Sequence, residues 1–217
     1  MEAYLLVEGK DDLHVVAALC QRHCLPRNFT LRTPGLTEGI EALLAGLPVR
    51  LKSEELKMLG VLVDADTDGA ARWRQVADRL RAAGCEPPSL LGPDGWVGFL
   101  GTRRVGVWMM PNNEASGALE DFLRGMVPEG DAWMPEADAV VNCLEQRGLH
   151  RYATARSSKA RLHTWLAWQS EPGQPFGTAI TARSLDADSV VARRFVGWLE
   201  RLFGSGAVDG AGPHHPV

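Results

Sequence analysis

The sequence predicts an α/β fold, in which a mostly parallel four-stranded sheet is flanked by helices and followed by a C-terminal helical extension. Four apolar segments predict strands, at residues 3–7, 29–32, 58–63 and 105–110. They are nearly continuous apolar runs, and segments with helical spacing separate them. Continuous apolar strands that alternate with helices are typical of a parallel sheet covered on both faces.

The first predicted strand ends at Glu8, and a helix follows it. Asp11 or Asp12 is expected to be the N-cap of that helix, because a carboxylate can accept a backbone N–H bond there. A second helix is predicted over residues 37–47, and Pro48 is expected to end it, because proline disrupts a helix interior.

The middle of the chain continues the alternation of strands and helices. The third strand is followed by Asp64-Ala65-Asp66-Thr67-Asp68-Gly69 and then by helical spacing. Residues 87–101 are rich in glycine and proline and predict a short hairpin. After the fourth strand, a helix is expected to begin beyond Gly117.

From about residue 128 the pattern becomes helical, with candidate helices over 136–147, 157–169 and 189–203. We therefore divide the chain into an α/β domain (1–127), a helical extension packed on it (128–203) and a disordered tail (204–217). The tail is rich in glycine, alanine and proline, a composition that buries little apolar surface.

Composition and charge limit the possible functions. The formal net charge of the 217 residues is -4, so nucleic acid would have to be bound by a local basic patch, by metal ions or with a partner. There is no apolar run of about 18 residues and no basic N-terminal leader pattern. We therefore expect a cytoplasmic protein without membrane contact. The cysteines form no CxxC pair, which argues against structural zinc.

Polar residues follow three of the predicted strands, where ligands bind in open parallel sheets. Glu8 follows the first strand, Asp64 and Asp66 follow the third, and Asn112 follows the fourth. Glu120 and Asp121 lie in the first turns of the next helix. Carboxylates gathered in one crevice repel one another, and a hard cation such as Mg²⁺ or Mn²⁺ removes that penalty.

Two other metal-binding patterns share the Asp-x-Asp element. A calcium loop of the EF-hand type would require Glu at the twelfth position, where this chain has Gln75. A phosphatase of the haloacid dehalogenase type also has Asp-x-Asp after a strand. That family normally has Thr two residues after the second Asp, where this chain has Asp68. We keep such a phosphatase as an alternative.

The ordered set of segments resembles the Toprim superfamily, and more narrowly a family of small stand-alone Toprim-like bacterial proteins of unknown function. The resemblance covers most of residues 3–204. Its segments are LLVEGKDDLHVV (5–16), LPVRLKSEELKMLGVLVDADTDGAARW (47–73), VGVWMMPNNEASGALEDFL (105–123), SSKARLHTWLAWQ (157–169) and PFGTAITARSLDADS (175–189). The resemblance implies that Glu8, Asp64 and Asp66 bind metal and that Glu120 is an additional acid.

Among Toprim activities, nuclease is the catalytic option that remains. A topoisomerase requires a nucleophilic tyrosine on a large separate domain, for which this chain has no room. Primases and recombination mediators normally carry zinc modules, which the cysteine spacing does not support. The nearest chemistry is therefore that of the OLD-type nucleases. Asp12, Asp68, Asn112 and Asp121 are expected to be additional ligands or to hold the ligands in place.

A basic segment supports binding of nucleic acid. Residues 147–163 contain five cations and no acid. The four arginines are candidates for phosphate contacts, namely Arg147, Arg151, Arg156 and Arg161. Lys159 is the candidate for stabilising transition-state charge, and with Glu8 it makes up the predicted catalytic pair.

A different class of function remains open. The negative net charge and the lack of a nucleic-acid-binding appendage also suit an effector or regulatory subunit. Such a subunit would be idle until an ATPase or another partner engages it, and a homodimer is a further option.

Overall fold

The computed structural model describes residues 2–26, 28–35 and 39–204 and shows an α/β architecture built on a five-stranded sheet. Its strands are β1 (Glu2–Leu6), β2 (Thr30–Arg32), β3 (Leu56–Asp64), β4 (Trp96–Leu100) and β5 (Arg103–Met110). Their order is β2-β1-β3-β5-β4. All neighbouring strands are parallel except β4 and β5. The predicted fold class is confirmed.

The sheet has one strand more than the four predicted. The additional strand is β4, which pairs antiparallel with β5 as a hairpin at the edge of the sheet. It lies in the segment for which glycine and proline content predicted a short hairpin. Gly98 interrupts its apolar pattern, and Gly101 in the turn has a φ of 59°. Its sequence therefore has the signals of a turn rather than of a buried strand.

Eight helices are present in the described part of the chain. They are α1 (Lys10–Arg22), α2 (Ile40–Leu51), α3 (Gly69–Ala82), α4 (Leu119–Arg124), α5 (Trp133–Gln146), α6 (Ser157–Leu166), α7 (Phe176–Thr181) and α8 (Val190–Phe203). A single 3-10 turn, Thr154–Arg156, precedes α6. Helix α7 was not predicted, because six residues are too short to show a helical period.

The expected N-cap of α1 was wrong. The helix begins at Lys10, so Gly9 is the N-cap and Asp12 occupies the third helical position. From there the Asp12 carboxylate accepts a hydrogen bond from the Gly9 N–H at 3.0 Å. The reciprocal contact of a capping box therefore fixes Asp12 at the start of the helix.

The expected end of α2 was also wrong, because Pro48 lies inside the helix. Proline in a helix interior removes one backbone hydrogen bond and costs about 3 kcal/mol. Leu47 and Leu51 are both fully buried and are spaced four residues apart. Their packing favours continuation of the helix past the proline.

Two hydrophobic clusters cover the two faces of the sheet. One contains buried residues of α2 and α3, and the other contains buried residues of α1 and of α4 to α8. Successive strand residues alternate between them, as Val61 and Leu62 show. The helices beyond residue 128 therefore share a core with the sheet, and the predicted boundary between 127 and 128 stays a prediction.

Two predictions fall outside the described residues, wholly or in part. They are the disordered tail, of which only Gly204 is described, and the start of the second helix at Thr37. Within the described ranges, none of the helices combines the length and the apolar character that crossing a bilayer demands.

Candidate metal site

The carboxyl ends of β1 and β3 lie side by side. The two strands are parallel neighbours, and their register pairs Leu6 with Val61. Glu8 follows two residues after Leu6, and Asp64 is the last residue of β3. The Glu8 Oε1 atom accepts a hydrogen bond from the Asp64 backbone N–H at 2.8 Å. The backbone of β3 therefore holds the Glu8 side chain against the end of its own strand.

One oxygen of the Asp64 carboxylate is buried and incompletely bonded, although the residue as a whole is only partly buried. Its Oδ1 atom is inaccessible to solvent and has no hydrogen-bond partner among the described residues. Burial raises its pKa to about 9, with further contributions from the charges of Asp12, Glu8, Glu120 and Asp66. Leaving a buried acceptor unsatisfied costs about 1–3 kcal/mol. A proton or a cation at this oxygen would remove that cost.

Asp12 belongs to the same group of acids. Only 8% of the residue is exposed, and burial is the main reason that its pKa rises to about 7. The charges of Glu8 and Glu120 raise it further, against the Gly9 hydrogen bond, which lowers it. The pKa of Glu8 is raised as well, first by burial. Acids that raise one another's pKa in this way compete for protons or for a cation.

The Asp66 side chain has a cationic partner. Asp66 has a φ of 51°, in the left-handed region, and its backbone exchanges two hydrogen bonds with Gly117, at 2.8 and 2.7 Å. Its carboxylate forms an ion pair with the guanidinium of Arg72. The Asp66 side chain is 55% exposed, whereas Arg72 is 11% exposed. Arg72, in the first turn of α3, therefore neutralises the charge of the second acid of the Asp-x-Asp element.

Glu120 is paired in a similar way with Lys159 of α6. The Lys159 ammonium lies 3.0 Å from the Glu120 carboxylate and 3.4 Å from that of Asp11. Burial alone would lower the pKa of Lys159, but the hydrogen bond and charge of Glu120 outweigh it, with Asp11 assisting. The pKa is therefore raised, and Lys159 carries a positive charge at the acidic edge.

Three other predicted residues have local structural contacts. Asp68 is the N-cap of α3 and accepts the N–H of Ala71 at 2.8 Å. Asn112 accepts two backbone N–H bonds in the turn after β5. Asp121 accepts the Ala118 N–H at 2.9 Å and the Ser158 hydroxyl at 2.8 Å. The last contact joins α4 to α6 next to Glu120 and Lys159.

The predicted basic patch is smaller in the structure. Arg161 is mostly buried and forms ion pairs with Glu145 at 2.8 Å and with Asp138 at 3.7 Å. Both acids belong to α5 and precede the basic segment. The count of charges within residues 147–163 therefore did not include them. Arg147, Arg151 and Arg156 are exposed and have no ion pair within the described ranges. They remain available for phosphate contacts, whereas the guanidinium of Arg161 is already paired with Asp138 and Glu145.

The fit to a divalent ion depends on these contacts. Among the described residues, no three acidic, histidine or cysteine side chains are gathered closely enough to hold a metal ion as they stand. The four predicted ligands influence one another's charge but do not surround one point, because Asp66 and Glu120 are turned to basic partners. Glu8 and Asp64 have no such partner, and carboxylate oxygens suit Mg²⁺ or Mn²⁺. The unsatisfied Asp64 oxygen therefore fits a ligand of such an ion.

Comparison with known proteins places the chain in a family. Residues 2–204 match the family described as "Protein of unknown function (DUF3226)". The chain belongs to this family. No curated protein and no solved structure matches it. Because the description of DUF3226 gives no function, membership alone carries no argument about activity.

Sequence reasoning about this DUF3226 chain missed Arg72, Asp11 and Ser158. Arg72 lies in the first turn of α3, directly after the Asp-x-Asp segment. Because helical side chains point back towards the N-terminus, that position was a usable signal for contact with the strand end. The contacts of Asp11 and Ser158 join residues 148 and 37 positions apart, and local sequence gave no signal for them.

Proposed function

We propose that this DUF3226 protein is a divalent-metal-dependent nuclease that hydrolyses phosphodiester bonds of DNA or RNA. The observation that carries the proposal is the buried, unsatisfied Oδ1 atom of Asp64 beside Glu8, at the end of two parallel strands. The sequence resemblance to Toprim proteins supports the same chemistry, with the OLD-type nucleases as the nearest group.

Glu8 and Asp64 would hold the Mg²⁺ or Mn²⁺ ion. A divalent ion at such a site supplies a Lewis acid that stabilises the negative charge of a reacting phosphate. Asp12 lies close enough for its charge to raise the pKa of Asp64, so its negative charge also favours binding of a cation. Its hydrogen bond to Gly9 fixes it at the start of α1.

Lys159 supplies positive charge on the side of the substrate. In the hydrolysis, a water molecule gives its hydroxyl to phosphorus, the bond to the leaving sugar oxygen breaks, and that oxygen receives a proton. Lys159 stays protonated because its pKa is raised, and α6 holds it beside Glu120. It can therefore stabilise the phosphate charge as the bond breaks. Arg147, Arg151 and Arg156 would contact neighbouring phosphates.

The test is a cleavage assay with the purified full chain. Labelled single- and double-stranded DNA and RNA are incubated with Mg²⁺, with Mn²⁺ and with chelator. We expect cleavage with metal and none with chelator, and we expect Asp64→Asn to abolish it. Cleavage that persists in chelator or in Asp64→Asn would contradict the proposal. A phosphomonoester substrate tests the phosphatase alternative, since hydrolysis of that substrate alone would favour a haloacid-dehalogenase-type enzyme.

A second candidate is an effector subunit that acts only with a partner. The observation in its favour is an exposed apolar face on α5, where Trp133, Val140 and Leu144 are 57%, 43% and 39% exposed. Their spacing of seven and four residues places them on one side of the helix. In this case an ATPase or another subunit would cover that face. Intact Mn²⁺ binding without cleavage of any substrate by the protein alone would favour this candidate.

A further inference from the structure

Two acids of the cluster, Asp66 and Glu120, each have a cationic partner. Asp66 is paired with Arg72, and Glu120 is paired with Lys159. The carboxylates of Glu8 and Asp64, by contrast, form no ion pair in the described ranges, although the charge of Arg72 is near enough to lower the pKa of Glu8. The four predicted ligands therefore fall into two kinds, those paired with a cation and those without an ion pair.

Arg72 is held in place more firmly than a surface arginine. Its Nε donates to the backbone carbonyl of Asp64 at 3.0 Å, and its Nη1 donates to Gln75 Oε1 at 3.0 Å. The remaining nitrogen, Nη2, forms the ion pair with Asp66. All three guanidinium nitrogens are engaged, and the side chain is largely buried. To release Asp66, the protein would have to disturb this arrangement.

The backbone around Asp66 favours the same arrangement. Its left-handed conformation and its two hydrogen bonds with Gly117 fix the direction in which the side chain leaves the main chain. A φ above zero is uncommon for a residue other than glycine and is maintained here by the surrounding contacts. Rotation of the main chain to bring Asp66 towards Asp64 would break the pairing with Gly117.

We propose that Arg72 limits the site to one tightly bound divalent ion, held by Glu8 and Asp64, and that Asp66 is the counter-ion of Arg72 rather than a metal ligand. This inference rests on the proposed metal site but does not require nuclease activity. The guanidinium occupies the place next to Asp66 and repels a second cation there. Arg72 thus acts as a positioning residue, since it also binds the backbone of a proposed ligand.

Calorimetric titration of the metal-free full chain with Mn²⁺ tests this assignment. We expect the wild type to bind one ion tightly and Asp64→Asn to lose that ion. Asp66→Asn is expected to bind one ion still, with affinity lowered by less than about tenfold, because an exposed charge acts through water. Asp68→Asn is the matched control. It removes the same charge two residues away and keeps a residue that caps helices well. Both asparagine variants should therefore weaken binding by less than about tenfold, with the larger effect in Asp66→Asn, because the charge of Asp66 acts on Asp64 and Glu8.

Removal of the Arg72 guanidinium provides a second, independent test of the inference. In Arg72→Gln, Asp66 loses its partner, and we expect a second Mn²⁺ ion to bind. Arg74→Gln is the control for charge, because Arg74 is an exposed residue of the same helix. Arg72→Lys, which keeps the positive charge, should restore binding of a single ion. Circular dichroism establishes that each variant is folded, and Asp66→Asn tests the proposal even where Arg72→Gln does not fold.

Three results would overturn the inference. One is two tight ions in the wild type. Another is a loss of affinity in Asp66→Asn that reaches the 10- to 100-fold typical of changes around a metal site, with Asp68→Asn unaffected. The third is a single ion in folded Arg72→Gln. All three results are compatible with the proposed nuclease activity. Absence of Mn²⁺ binding by the wild type would instead remove the metal site itself.

Discussion

Two acid-rich regions of this molecule use the same residue types in opposite ways. Between α5 and α6, Asp138 forms ion pairs with Arg124 and Arg161, and Glu145 pairs with Arg161. The hydrogen bond from Arg124 is the main reason that the pKa of Asp138 is lowered. Hydrogen bonds from Ser157 and Tyr152 and the charge of Arg161 lower the pKa of Glu145. At the carboxyl ends of the strands, burial raises the pKa of Asp12 and Asp64 instead.

The difference separates acids that stabilise the fold from acids that cost stability. A carboxylate with a lowered pKa is more stable as an anion in the folded protein than in the unfolded chain. A carboxylate with a raised pKa is less stable as an anion, so it is retained at the expense of stability. Clusters of this second kind are typical of functional sites. The contrast therefore favours a structural role for Asp138 and Glu145 and a functional role for Asp64.

The largest expected effect is the loss of activity in Asp64→Asn. We expect cleavage to fall by about 100-fold or more, because even changes next to metal ligands cost 10- to 100-fold. In chelator, the melting temperature should stay the same or rise, because the substitution relieves repulsion among the acids. Cleavage assays and melting curves measure the two effects.

Asp138→Asn is the matched variant in the other region. It should leave cleavage unchanged and lower the free energy of unfolding by about 1 kcal/mol, as expected for a partly exposed ion pair. If Asp64→Asn is strongly destabilised in chelator while Asp138→Asn is not, the assignment of the two regions is reversed.

The second prediction concerns the dependence of stability on pH without metal. The pKa of Asp64 rises from its ordinary value of 3.8 to about 9 in the folded protein, mainly through burial. Between these values the folded state binds more protons than the unfolded state, so stability from this group falls as pH rises. In chelator, the melting temperature should therefore be lower at pH 8.5 than at pH 6. Asp64→Asn should reduce this slope.

Mg²⁺ should reverse the trend, because a metal ion binds the deprotonated carboxylates. An ion present at 100 times its dissociation constant adds about 2.7 kcal/mol to stability. The increase in melting temperature on addition of Mg²⁺ should be larger at pH 8.5 than at pH 6. An increase that is equal at both pH values, or equal in Asp64→Asn, would count against binding at this carboxylate.

The smallest expected effect belongs to the exposed arginines. Arg147→Ala and Arg151→Ala should each weaken binding of nucleic acid modestly and reduce the slope of its salt dependence by about one. Stability should not change, because neither side chain has an ion pair within the described residues. Arg161→Ala should behave in the opposite way, with a loss of stability. Salt titrations followed by fluorescence anisotropy distinguish the two outcomes.

The sequence was sufficient to predict the layered α/β fold and the shared edge of Glu8 and Asp64. Continuous apolar strands indicate a parallel sheet, and the ends of neighbouring parallel strands lie together. The antiparallel strand β4 was missed as a sheet member because Gly98 interrupts its pattern. The pairing of Asp66 with Arg72 was also missed, although the position of Arg72 in the first turn of α3 was a usable signal; the backbone hydrogen bonds of Asp66 to Gly117, 51 residues away, could not be foreseen. Long-range contacts of this kind leave no local signal.

The central claim is that Glu8 and Asp64 bind a divalent metal ion at the carboxyl ends of β1 and β3. Anomalous diffraction from crystals grown with saturating Mn²⁺ tests it most directly. We predict one strong anomalous peak with oxygens of both residues about 2.0–2.3 Å away, close to the ligand distances of Mg²⁺ sites. A fully occupied ion elsewhere, or no peak between Glu8 and Asp64 in Mn²⁺-saturated crystals, would contradict the claim.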